Sequence, residues 1–282
     1  MASLTHLQTL VTSDPVVCCI LYNLYTKSKA DCLAPEDELS SCLDLIGSNF
    51  VRAFLWLLSL RAILGNGSVI TYRLFFEKKT STRGFHIFVT SLGVSDFLMG
   101  VYLTAIGSAD VYYTGQFMWQ RWQWKRHVVC TLAGVLATVS SEVSACTICL
   151  IMLDRLLVVQ CPLHKHLHFS THTSLTTVAL TWMIGFAIAL IPIFNKHWDF
   201  YQQNAICVPL PITRLDFPGH YYAQSVFLVL NLSIFLIIGV GQMLIYRAVR
   251  SSSKATIQRS ATMDDVAIAR RLFLVVFSDF CC

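Results

Sequence analysis

The chain has 282 residues, of which 55% are hydrophobic and only 13% charged, with a formal net charge of +5 and a mean hydropathy of +0.59. A soluble domain of this length carries roughly a quarter charged residues, so the composition excludes an ordinary soluble globule. The apolar residues gather in blocks close to the ~20 residues that cross a bilayer, and the basic excess reads as a topology signal rather than as a nucleic-acid surface.

In chain order, residues 1–10, MASLTHLQTL, lack the charged start and long apolar core of a signal peptide. Residues 1–49 hold Cys18, Cys19, Cys32 and Cys42, four of the 11 cysteines. Apolar spans are expected near 53–76, 86–108, 128–153, 174–194 and 221–246, with a partial sixth at 267–282. From Leu272 to Cys282 that last block reaches only about 16 Å at 1.5 Å per residue, half the hydrocarbon thickness. The expectation is therefore an all-α transmembrane bundle cut off inside its sixth helix. With the N-terminus outside, twelve Lys and Arg fall on the inner side against eight on the outer, and Arg61 lies inside the first span.

Several motifs carry little. The sequons at Asn66 and Asn231 lie within spans, beyond the reach of glycosylation. Cys146 and Cys149 have redox-like spacing but sit in apolar helix, as do Cys281 and Cys282. Cys161 stands at the inner edge, where palmitoylation and plain packing are both open. His164, His166, His168 and His172 lack the cysteine or carboxylate that a metal site would bring. Neither a His-Glu-x-x-His nor a Gly-x-Ser-x-Gly motif occurs, and no inverted repeat is evident, which argues against an intramembrane enzyme or transporter.

Polar groups at bilayer depth are costly and mark function. Asp96 lies ten residues beyond His86, about 15 Å into the second span. Glu142 and Ser144 lie 12 and 14 residues beyond Cys130, about 18–21 Å into the third, and Asn66 falls near mid-depth in the first. Shared depth predicts one buried network across three helices, its simpler alternative being interhelical hydrogen bonds alone. Cys130 and Arg155 are 25 positions apart, about 37 Å of helix, so Asp154-Arg155 is expected at the inner mouth of the bundle.

Gly65-Asn66, Asp96, Cys130, Asp154-Arg155, and Trp182 with Pro192 together resemble the rhodopsin-like G-protein-coupled receptors. SDFLMGVYL, SSEVS, GFAIALIPIFNK, VFLVLNLSIFLIIG and LFLVVFSD are similar to the leucine-rich-repeat-containing hormone receptors, in particular the relaxin-receptor-like branch. VVCC…DCLAPEDELSSCLDL resembles their cysteine-rich hinge, and LTHLQTL a last leucine-rich repeat. The resemblance implies residues 1–49 as an extracellular hinge remnant and 50–282 as an incomplete seven-helix receptor domain. It further implies a Cys130–Cys207 disulfide, and Asp154 with Arg155 as the switch toward a heterotrimeric G protein. Asn66, Asp96, Glu142, Ser144 and Asp279 would form the buried polar network, with a sodium ion at Asp96 and Ser144.

The implied partners are a peptide or protein hormone outside, membrane lipid around the bundle and a G protein inside. The implied setting is the plasma membrane, multi-pass, N-terminus outside. The competing expectation is a truncated product with no signalling of its own that modulates full-length receptor. The chain departs from the family pattern in lacking a proline in the fifth span, in Gln242 where a tyrosine is usual, and in Arg61.

Overall fold

The computed structural model describes residues 9–11, 17–19, 31–33, 39–76, 83–160, 169–195, 197–208 and 219–254. The expectations placed on Asp279, Cys161, Cys281, Cys282, His164, His166, His168 and the partial span at 267–282 lie outside those residues.

Among the described residues, five long helical segments and one short one follow one another. They are α1 (Asn49–Phe75), α2 (Arg83–Tyr113), α3 (Phe117–Arg126), α4 (Val128–Gln160), α5 (Thr171–Phe194) and α6, which runs from His220 to Lys254. Ahead of them, strands β1 (Thr9–Val11) and β2 (Asp31–Leu33) form a parallel two-stranded ladder, a small departure from an all-helical chain. The five spans fall where hydropathy places them, but α2 begins earlier and runs five residues further than expected, and α4 seven further. Helices do not stop where the hydrocarbon does, because backbone hydrogen bonds persist into the headgroup layer. The short α3 was not foreseen. Its sequence, FMWQRWQWKR, is too polar and too brief for a hydropathy window.

Among the described helices, α1, α2 (from Gly84), α5 and α6 (to Ala248) are long and apolar enough to cross a membrane on their own. The third span, α4, is the central one and packs against α2, α5 and α6, while α1 lies outside against α2. Outward faces carry large apolar side chains such as Leu64, Met183 and Val240, each more than half exposed. In water that would be a liability; against lipid it is the expected solvent face.

Helix α2 meets α1 through glycines spaced seven residues apart. A Cβ on Gly100 would stand 2.9 Å from Ala62 and from Ile63, one on Gly107 2.9 Å from Leu55, and one on Gly93 3.4 Å from Ile70. Without hydrophobic driving force inside lipid, close backbone approach through small residues supplies the packing. Two spans contain a wide π turn, at Ala62–Asn66 in α1 and at Gln224–Leu230 in α6. Pro192 sits buried inside α5.

Candidate functional site

At the outer end, the segment before α1 enters the bundle. Leu45 and Ile46 are fully buried and share one core with Tyr102, Ile106, Trp124 and Cys130. Beside them Asp110, on the last turn of α2, has no exposed surface. Its Oδ1 accepts the backbone N–H of Ile46 at 2.8 Å, and its Oδ2 accepts Nε of Arg52 at 2.5 Å. Arg52 Nη2 reaches back to the Ile46 carbonyl at 3.0 Å and lies 3.5 Å from Asp44. Asp44 in turn accepts the N–H of Gly115 at 3.2 Å, and Phe117 donates to Leu43 at 3.2 Å. Residues 41–52 are thus clamped onto the α2–α3 corner by one buried carboxylate and one guanidinium. Neither Asp110 nor Arg52 was singled out from sequence. The available signal was an acid and a base at the same outer depth on neighbouring spans.

Cys130 at the start of α4 is bonded to Cys207, with Cα atoms 5.3 Å apart. Beneath the bond lies Tyr201, whose hydroxyl donates to the Ala189 carbonyl at 2.7 Å. Burial pushes that hydroxyl up to about 12, so it stays a donor. Trp124 Nε1 donates to the Ala205 carbonyl at 2.8 Å and Tyr102 to that of Ile206 at 2.9 Å. Residues 201–207 of the outer loop are therefore held against the top of the bundle. Among the four hinge cysteines, Cys19 is bonded to Cys42, Cys18 is also disulfide-bonded, and Cys32 falls on β2.

In the middle of the bundle the polar groups divide into two pairs. Ser144 Oγ donates to Asp96 Oδ1 at 2.8 Å, joining α4 to α2. Glu142 Oε1 accepts from Asn231 Nδ2 at 2.9 Å, joining α4 to α6. Glu142 is buried, and its Oε2 has no hydrogen-bond partner among the described residues. Among the described residues these pairs do not join into one network. Residues two apart on a helix point about 200° away from each other, so Glu142 and Ser144 cannot serve the same side of α4. Asn66 is half-buried within the π turn of α1 and makes no side-chain hydrogen bond to Asp96. Asn231, read from sequence only as a sequon, is the partner that depth alone could not reveal.

A sodium ion implied for Asp96 and Ser144 would meet one carboxylate and one hydroxyl on facing helices. That donor set suits a single positive charge, with the remaining oxygens to come from water or from elements beyond the described residues. Among the described residues no group of three His, Cys, Asp or Glu side chains gathers as for a metal ion.

At the inner end, Arg155 Nε lies 3.7 Å from Asp154 Oδ2. Its guanidinium stacks over the ring of Phe85, in the first turn of α2, at 3.8 Å from the ring centre. Asp154 is buried and Arg155 partly so. The arginine is thus held by a neighbouring acid and an aromatic face, both of which sit at the point where α2 and α4 converge. Arg61 is exposed on α1.

Comparison with known proteins places this geometry. Residues 65–282 match the family model of the 7 transmembrane receptor (rhodopsin family). The chain is 34% identical over 261 residues to the G-protein coupled receptor GRL101 of Lymnaea stagnalis, covering 89% of this chain and 23% of that protein. It is 33% identical over 265 residues to human Relaxin receptor 2, covering 93% of this chain and 35% of the relative. It is 28% identical over 262 residues to the lutropin-choriogonadotropic hormone receptor of Callithrix jacchus, covering 93% and 37%. The chain thus spans between about a quarter and about two fifths of the length of these relatives. A central α4 fixed by Cys130–Cys207 above and bearing Asp154-Arg155 below, in a multi-pass membrane protein matched over most of its length, belongs to the rhodopsin family of seven-transmembrane receptors.

Proposed function

We propose that the chain is the membrane part of a receptor for a peptide or protein hormone, set in the plasma membrane with its N-terminus outside, that transmits binding to a heterotrimeric G protein. The observation that carries this reading is the placement of Arg155. It lies at the inner end of the central helix, paired with Asp154 and stacked on Phe85, where a modest shift of α4 against α2 would part it from the Phe85 ring and turn it toward a cytoplasmic protein. Two-state bundles convert small interface shifts into such releases. The names of the relatives, relaxin and lutropin receptors, support a hormone as the outer ligand. In this reading the clamp between residues 41–52 and the α2–α3 corner couples the outer part of the protein to the bundle. Asp96 and Ser144 hold a sodium ion in the resting state, where the ion supplies the charge that a carboxylate at bilayer depth requires.

The test is Arg155→Ala in the full-length protein, with second-messenger output and surface density measured together. Output is expected to fall to background at unchanged surface density. A response equal to the unsubstituted protein at equal density would overturn the assignment.

A further inference from the structure

One side of α3 is taken up by the bundle. Phe117, Met118 and Trp124 are buried there, Trp124 donates to the Ala205 carbonyl, and Lys125 donates to that of Gln203. The other side carries Trp119 and Trp122, 70% and 61% exposed, and serves neither the clamp nor the disulfide-bonded loop. Three residues apart on a helix, the two indoles share one face. Among the described residues neither indole nitrogen has an acceptor. Arg126, one turn beyond Trp122, lays its guanidinium over that ring at 4.7 Å from its centre.

Depth sets what that face meets. Asp96 stands near the midplane of the bilayer, and Ser144 is hydrogen-bonded to it. Cys130 lies 14 residues above Ser144 on α4, about 21 Å, which is half of the roughly 40–45 Å that a bilayer measures with its headgroups. Phe117 and Trp124 share their buried core with Cys130, so α3 lies at headgroup level. The chain on either side is apolar and open as well. Val111 and Tyr112 near the end of α2, and Val128 and Leu132 near the start of α4, are each 62% exposed or more. In water such a surface would be a liability. Tryptophan suits the boundary between headgroups and acyl chains, because its ring is apolar while its N–H keeps a polar partner. An arginine beside it reaches phosphate from the same layer.

We propose that α3 is an interfacial anchor, with Trp119 and Trp122 seated at the headgroup–acyl boundary of the outer leaflet. The occupant of this face is the lipid surface and not a soluble partner, since the indoles continue the surface by which α2 and α4 already meet lipid. Through Trp124 and Lys125 the same helix holds the outer loop, so the anchor ties that loop to the bilayer. The receptor reading enters only in naming the leaflet as the outer one.

The experiment is tryptophan fluorescence of the full-length protein in phosphatidylcholine nanodiscs. The emission lost in the double variant Trp119→Phe/Trp122→Phe is the part that belongs to these two indoles. Both side chains are exposed, so the variant gives up no buried contact and should fold. Phosphatidylcholine brominated near the headgroup end of its acyl chains quenches rings at the boundary, and acrylamide quenches rings in water. The brominated lipid should remove more than half of the emission assigned to the two indoles, several-fold more than acrylamide removes. Quenching by acrylamide that equals or exceeds quenching by lipid would place the face in water, open to a soluble partner, and overturn the anchor. So would emission that neither quencher reaches, because protein would then cover the face. Nanodisc lipid is alike in both leaflets and no G-protein output is read, so failure here and failure of the receptor reading are separable.

Discussion

Replacing Arg52 by alanine tests the outer clamp. The substitution removes the 2.5 Å bond to Asp110 Oδ2, the 3.0 Å bond to the Ile46 carbonyl and the ion pair with Asp44. Asp110, with 0% exposure, keeps only the N–H of Ile46. Orphaning a buried charge typically costs 3–5 kcal/mol. Because the Arg52 side chain is 25% exposed and partly screened by water, the low end applies, about 3 kcal/mol. Arg52→Lys keeps the charge but loses the fork, and should cost about 1–2 kcal/mol. The double variant Arg52→Ala/Asp110→Ala should cost at least about 1 kcal/mol less than the sum of the singles. Thermal unfolding in detergent, followed by alkylation of free thiols including the half-buried Cys146 and Cys149, reads this directly. A 3 kcal/mol loss corresponds to a fall of about 6–12 °C in Tm. A fall of less than about 2 °C for Arg52→Ala, or strict additivity in the double variant, would refute the clamp as a stabilising element.

Two further outcomes follow from the bundle itself. Gly100→Ala pushes a methyl group to within 3.1 Å of the Ile63 backbone nitrogen and should destabilise by about 1–3 kcal/mol. Gly93→Ala meets only ordinary contact at 3.4 Å and should be neutral or gain up to about 1 kcal/mol from helix propensity. The order of the two midpoints in the same unfolding assay decides whether this seam sets the α1–α2 distance. Sodium chloride, compared with choline chloride at equal ionic strength, should raise the midpoint of the unsubstituted chain but not that of Asp96→Asn; an equal rise in both would remove sodium from Asp96.

Much of the bundle was legible because a bilayer leaves the sequence little choice. Apolar runs near the required length can only be spans, and a Cys, an Asp-Arg pair and a mid-span acid at set distances along them fix depth. Depth is one coordinate, however, and side-chain direction is another. Glu142 and Ser144 share a depth yet serve opposite neighbours, which the helical angle between them determines and depth does not. Asp110 was passed over because an acid at a span end looks solvated, whereas residues 41–48 fold over it and remove the water. Helix α3 was invisible for the same kind of reason: its half-polar sequence is held by contacts from elsewhere, such as Trp124 on the Ala205 carbonyl and Lys125 Nζ on that of Gln203 at 2.8 Å.

The Cys130–Cys207 bond has a mechanical consequence. It fixes the top of α4 to a loop segment that Tyr201, Trp124 and Tyr102 hold in place, so α4 has a covalent fulcrum at one end and only side-chain contacts at the other. Arg155 lies about 37 Å below that fulcrum. A tilt of about 5° there sweeps the arginine through about 3 Å, nearly the whole distance that separates it from the ring centre of Phe85 on α2, while Asp154, on the same helix, travels with it. The helix is thereby a lever whose long arm ends on its own latch.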